Sequence, residues 1–158
     1  MMNELNAELD GNGLKIGLVA ARFNHIIVEQ LLDGTRSRLL GLGVSEENIT
    51  LGWVAGAFEV PLAAKEMARK LSLDAVICLG CVIRGDTPHF DYVAGQSAHG
   101  VLQVGLETGI PMIYGILTTE NIEQAVERAS VHAENKGSEF ADSAVEMVQL
   151  LRDINNRE

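Results

Sequence analysis

The densest set of reactive side chains is Arg84-Gly85-Asp86-Thr87-Pro88-His89-Phe90-Asp91. A glycine frees the backbone there, a threonine offers a hydroxyl, and a helix start just beyond supplies unpaired N–H groups. Together these suit an anion such as phosphate. His89 lies in the same stretch, and histidine is the side chain suited to passing protons near neutral pH. A second cluster is Gly56-Ala57-Phe58-Glu59-Val60-Pro61. Gly56 lets the backbone approach a ligand, and Glu59 at a helix start can accept from free backbone N–H groups, which a simple cap explains equally well. Arg22-Phe23-Asn24 is the third. In a chain only 4% aromatic, Phe23 there is either a stacking surface or core filling. Arg128 and Lys136 are cations in an acidic protein; a guanidinium matches phosphate with a planar fork, while the plainer reading is an exposed helix charge.

Several other patterns fail on spacing or context. Gly11, Gly13 and Gly17 precede an apolar run instead of following it, so they read as a turn and not as a dinucleotide fingerprint. No phosphate-binding G-x-x-x-x-G-K-[ST] loop occurs. Cys78 and Cys81 have redox spacing but sit inside the apolar run 75–83. Residues three apart on a strand face opposite ways, so both read as buried structural thiols. Gly95 to His99 imitates a nucleophile elbow on a stretch whose period is helical. The first apolar run ends in Ala20-Ala21-Arg22, without the carboxylate pair of a magnesium-binding receiver.

The elements that must position these groups follow from periodicity. Four apolar, β-branched runs, 14–20, 49–54, 75–83 and 111–117, lack polar alternation and predict parallel strands covered on both faces. Helical spacing follows each. Ile27, Leu31, Thr35, Leu39 and Leu42 recur after the first run, with Gly43 as the residue past the helix end. Pro61 opens the second helix, with Ala64, Met67, Ala68 and Leu71 on one face. Val93, Ser97, Val101 and Val104 mark a third that stops near Gly109, and two more are expected over 121–132 and 138–154. Residues 4–9 alternate weakly, as an edge strand or one completed by another subunit would. This order predicts one three-layer α/β domain over 1–158, with 1–13 as an N-terminal edge segment. Ligands bind such sheets beyond the carboxyl ends of the strands, where the first three clusters lie.

The chain has 158 residues, 12 Lys+Arg against 22 Asp+Glu and a formal charge of −10. That balance argues against a nucleic-acid or acidic-membrane partner but not against a small anion held by local cations. Hydrophobic residues are 47% and aromatics few, so the core must be aliphatic. Two cysteines are too few for a disulfide framework. No apolar run nears the ~20 residues that span a bilayer, and Met1–Asp10 has no signal-peptide pattern. A cytoplasmic protein is expected.

In combination the clusters resemble the 6,7-dimethyl-8-ribityllumazine synthase family. The matching stretches are A-R-F-N (21–24), G-A-F-E-V-P (56–61), G-C-V-I-R-G-D-T-P-H-F-D-Y-V (80–93), T-G-I-P-M-I-Y-G-I-L-T-T-E-N-I-E-Q-A-V-E-R-A (108–129) and N-K-G (135–137), in order from about Leu14 to Leu151. The resemblance implies a flavodoxin-like subunit with a four-stranded parallel sheet, assembled as a homopentamer, a decamer or an icosahedral 60-mer, with riboflavin synthase as a further partner. It implies condensation of 5-amino-6-(D-ribitylamino)uracil with 3,4-dihydroxy-2-butanone 4-phosphate, releasing phosphate and water, with no metal or organic cofactor. By position, Phe23 would stack on the pyrimidine with Asn24 nearby. Ala57, Phe58 and Glu59 would hold the ribityl chain, and Cys81, Val82 and Ile83 would present the backbone that reads the uracil edge. Gly85, Asp86 and Thr87 would cradle phosphate with Arg128, and His89 would transfer protons. Tyr114, Arg128 and Lys136 would come from the neighbouring subunit.

Three positions depart from the family pattern. Asp86 stands where Ala is common, Tyr114 where Phe is commoner, and Ala55 where Pro is frequent. The rival readings are a non-catalytic flavin- or nucleotide-binding module, which lacks its Ser/Thr-rich loop after the first strand, and a purely shell-forming protein.

Overall fold

The computed structural model describes residues 1–157. Its strands are β1 (Ile16–Ala21), β2 (Ile49–Val54), β3 (Ala75–Ile83) and β4 (Met112–Thr119). Its helices are α1 (His25–Gly41), α2 (Val60–Lys70), α3 (His89–Thr108), α4 (Ile122–Ala129) and α5 (Lys136–Asn155). The strands form one all-parallel sheet in the order β2-β1-β3-β4. Strand order therefore reverses direction at β1, and a crevice opens at the carboxyl ends beside it.

Two cores explain the unbroken apolar strands. On one face, Ile16, Leu18, Ile77 and Leu79 pack against Val28 and Leu31 of α1, Ala125 of α4, and Ala141 and Val145 of α5. On the other, Val19, Val76 and Cys78 meet Val60 and Ala64 of α2 and Val101 of α3. β3 is the most enclosed strand, buried from Ala75 through Cys81. Small residues on α2, α4 and α5 let the helices approach the sheet, which compensates for the scarcity of aromatic filling.

Helix ends follow local chemistry. Gly43 adopts φ +101 past the end of α1, its N–H donating to Leu40 at 3.0 Å while that of Val44 donates to Leu39 at 3.0 Å. This is the paired C-terminal arrangement that favours glycine. Gly109, at φ +70, ends α3. Gly13, at φ +76, lies in the turn before β1, so that glycine-rich stretch is a turn.

Four expectations need correction. Residues 4–9 form no strand within this chain; they are mostly exposed and pair with no other strand, and β2 takes the sheet edge. β1 and β4 both run farther toward their carboxyl ends than apolarity indicates, to Ala21 and Thr119. α4 stops at Ala129 because Ser130 leaves the helical region at ψ 129. α5 starts at Lys136 because Asn135, at φ 47, turns the chain into it.

Cys78 and Cys81 are free, buried and on opposite faces of the sheet. Burial pushes the Cys78 thiol up to about 12 and the Cys81 thiol up to about 11. The folded chain therefore holds these protons above the pH at which an unfolded thiol loses them. The resulting stability is complete below about pH 8.5 and is lost as pH rises toward those raised values. Native protein is expected to resist iodoacetamide at pH 8 and to react at both cysteines once denatured. Rapid native alkylation would contradict this burial.

Candidate active site

A cleft of about 720 Å³ opens at the carboxyl ends of β1, β2 and β3. Its lining brings Phe23, the 55–59 turn, the end of β3, Gly85, Thr87 and His89 into one space. The three sequence clusters thus converge although they lie up to about sixty residues apart in the chain.

The floor of the cleft is an overhang. β1 pairs with β3 only as far as Ala20 opposite Leu79, whereas β3 continues beside β4 to Ile83 opposite Thr119. Beyond Leu79, backbone groups of β3 that face away from β4 have no strand partner. The Asn24 side-chain amide takes one of them, donating to the Cys81 carbonyl at 2.9 Å. Asn24 itself sits at φ 60, a left-handed conformation that asparagine tolerates. It braces the mouth of the cleft, which Val82 and Ile83 also line.

Phe23 follows β1 and is 71% exposed, so it is a shelf at the cleft mouth and not core filling. Across the cleft, Gly56 is extended and Ala57–Glu59 make a single 3-10 turn that leads into α2. The Glu59 carboxylate accepts from the Gly56 N–H at 3.1 Å, so the capping role is present. Glu59 remains exposed, with lone pairs free for a ligand. Phe58 is 59% exposed and also lines the cleft.

The 84–88 segment is exposed throughout. Nothing approaches the position a Gly85 Cβ would occupy, so space there is open. Thr87 Oγ1 lies 3.4 Å from the His89 N–H at the start of α3. Asp86, between two lining residues, does not itself line the cleft. Phe90, Tyr92 and Val93 complete the wall. Sequence reasoning names none of the three as a site residue, although Phe90 lies in the 84–91 cluster and Val93 on the third helix's apolar stripe. The available signal was helical spacing from His89, which puts Tyr92 and Val93 on the same face of α3.

Tyr114, Arg128 and Lys136 do not reach this cleft within their own chain. Tyr114 packs beneath α3, and its hydroxyl is 2.9 Å from Ser97 Oγ and 3.3 Å from the Ala94 carbonyl. Burial raises its pKa. The hydroxyl that departs from the family pattern therefore finds partners inside the subunit, not at the rim of its own cleft. Arg128 is half-buried; its Nη1 donates to the Gln124 carbonyl at 3.1 Å, and among the described residues no carboxylate pairs with it. Lys136 bonds Glu139 at 2.8 Å, which raises its pKa, while nearby Arg128 opposes that rise. The two cations are near enough to influence each other.

Among the described residues no three His, Cys, Asp or Glu side chains converge as metal ligands would, and no helix is long and apolar enough to cross a membrane. The geometry supplies an aromatic shelf, a backbone edge, a carboxylate, an open glycine–threonine loop and an adjacent histidine. Comparison with known families agrees with this combination: residues 13–152 match the profile described as 6,7-dimethyl-8-ribityllumazine synthase, and the chain belongs to that family, whose members are transferases of riboflavin biosynthesis.

Proposed function

We propose that the protein condenses 5-amino-6-(D-ribitylamino)uracil with 3,4-dihydroxy-2-butanone 4-phosphate to form 6,7-dimethyl-8-ribityllumazine. The observation that carries this reading is the single cleft holding Phe23, the Val82–Ile83 edge, Glu59, Gly85, Thr87 and His89. The uracil ring stacks on Phe23 and reads the free edge of β3. The ribityl hydroxyls donate to Glu59 and contact the Ala57–Phe58 turn. The butanone phosphate occupies the loop at Gly85 and Thr87, with Asp86 contributing backbone only.

The pyrimidine amine attacks the ketone carbon, and loss of water leaves an imine. Removal of a proton from the adjacent carbon allows the C–O bond to phosphate to break, the electron pair leaving with phosphate. Tautomerisation gives a new carbonyl, which the ribityl-bearing nitrogen attacks, and a second water is lost as the ring closes. Every step moves a proton, and His89 stands beside the phosphate loop to relay them. Holding the two reactants together supplies much of the acceleration.

The pocket is completed by a neighbouring copy, in a homopentamer or a multiple of it, which brings Tyr114, Arg128 and Lys136 to the cleft. This is supported by their absence from the lining of their own chain's cleft and by apolar side chains left exposed on α3 and α4, among them Leu102, Leu106, Ile122 and Val126. The enzyme acts in the cytoplasm on small molecules, and riboflavin synthase is the partner that consumes its product.

The test is lumazine formation by wild type and His89→Ala. Because alignment survives the loss of the imidazole, the variant is expected to turn over about tenfold more slowly, below the full range for general acid–base catalysis. Unchanged turnover would remove His89 from the mechanism.

A further inference from the structure

The 85–88 segment has little of its own to hold it. It is exposed, and its hydrogen bonds are local: Thr87 Oγ1 with the His89 N–H, and the Pro88 carbonyl with the Asp91 N–H at 3.0 Å. Arg84, the residue just before it, is different. Its backbone N–H donates to the Thr119 carbonyl at 2.9 Å. Its Nε donates to Glu120 Oε2 at 2.8 Å, its Nη1 lies 3.3 Å from Asp91 Oδ1, and its guanidinium carbon is 4.4 Å from the centroid of the Phe90 ring. One side chain therefore links the ends of β3 and β4 to the first turn of α3, on either side of the loop.

We propose that Arg84 is the positioning residue of this site: its guanidinium, clamped between Glu120 and Asp91 and laid on Phe90, fixes where Gly85, Thr87 and His89 stand. Two carboxylates already balance its charge, so it acts as a strut and not as a phosphate ligand. The choice of arginine follows from the geometry. A planar fork reaches two carboxylates and an aromatic face together, whereas an ammonium meets them as a point charge. An exposed ion pair adds little stability, so the expected consequence is placement of the reacting groups, to which rates are sensitive.

This inference rests on the proposed reaction for its kinetic readout and has a second readout that does not. Arg84→Ala and Glu120→Ala are each expected to lower kcat about ten- to a hundredfold, since a misplacement of about 1 Å can cost roughly a hundredfold. The KM for the pyrimidine should change far less than kcat, because neither side chain touches Phe23 or the 57–59 turn and the backbone bond from Arg84 to Thr119 that holds the end of β3 survives both changes. The double variant should be no slower than Arg84→Ala alone, the signature of one shared interaction. Arg84→Lys should recover part of kcat. In hydrogen exchange without substrates, residues 89–95 should exchange faster in both single variants than in wild type. If Glu120→Ala leaves kcat unchanged, or lowers the KM for the butanone phosphate, Arg84 is a phosphate ligand held back by Glu120 and the strut is wrong. Unchanged exchange in Arg84→Ala would also overturn it. Faster exchange in a protein that forms no lumazine would uphold the strut while removing the proposed reaction.

Discussion

Arg128→Ala is expected to raise the KM for the butanone phosphate and to lower kcat/KM roughly a hundredfold, the loss of about two charge-assisted hydrogen bonds. The basis is the state of this side chain. Most of the surface cations, including Arg36, Arg38, Lys65, Arg84 and Arg152, pair with a carboxylate. Arg128 is half-buried on α4, held by one bond to the Gln124 carbonyl and, among the described residues, without an acidic partner. Lys136 beside it is occupied with Glu139. In the proposed shared pocket this guanidinium is the cation that would meet the butanone phosphate. Arg128→Lys should recover only part of the loss, because an ammonium lacks the planar fork. Steady-state kinetics with the butanone phosphate varied would decide. An unchanged KM and rate would make Arg128 an ordinary surface charge and would remove the shared pocket's cation.

The largest effect on stability is expected from Gly137→Ala. Gly137 lies in the first turn of α5 where that helix crosses α1, and a Cβ there would run into the Leu31 carbonyl oxygen and come within 2.9 Å of the Thr35 amide nitrogen. Both are helix backbone and cannot turn aside as a flexible side chain can. The Thr35 hydroxyl, 2.7 Å from the Leu31 carbonyl and 3.0 Å from the Gly137 carbonyl, ties the same crossing and would be displaced too. Overpacking of this kind costs about 3 kcal/mol, a fall in Tm of roughly 6–12 °C for a chain of this size. Gly41→Ala serves as the control. It sits at the exposed end of α1 with open space at its Cβ position, and replacing glycine by alanine in a helix should stabilise it by about 0.5–1 kcal/mol. Thermal unfolding of both variants checks the pair. A Tm for Gly137→Ala within about 1 °C of wild type, below the roughly 2–4 °C that about 1 kcal/mol would shift it, would show that the crossing relaxes.

How much of this was legible follows from the range of each interaction. The run from Ala75 to Ile83 announced a strand buried on both faces because parallel sheets leave no polar side, and β3 is that strand. Gly43 announced the end of α1 because the signal lies within a few residues. The convergence of Arg22–Asn24, Gly56–Glu59 and Arg84–Asp91 followed from topology alone, since parallel order puts every strand's carboxyl end on one side. Residues 4–9 pair with no strand of their own chain; weak alternation carries no information about a pairing partner. Ser130 and Asn135 set helix boundaries through backbone angles that their residue types permit but do not demand. Arg84 was visible only as part of a motif. Its partner Glu120 is thirty-six residues away, and nothing local marks such a pairing. The Tyr114 hydroxyl was equally silent, because Ser97 meets it only once α3 lies across β4.

The most direct test of the central claim is the initial rate of 6,7-dimethyl-8-ribityllumazine formation from both substrates. It uses purified protein at neutral pH with EDTA present, followed by product absorbance and fluorescence, with the spontaneous reaction subtracted. A rate that saturates in each substrate, with one phosphate released per lumazine formed, is the predicted result. Folded protein that gives no rate above the spontaneous reaction would contradict the assignment of chemistry to this cleft.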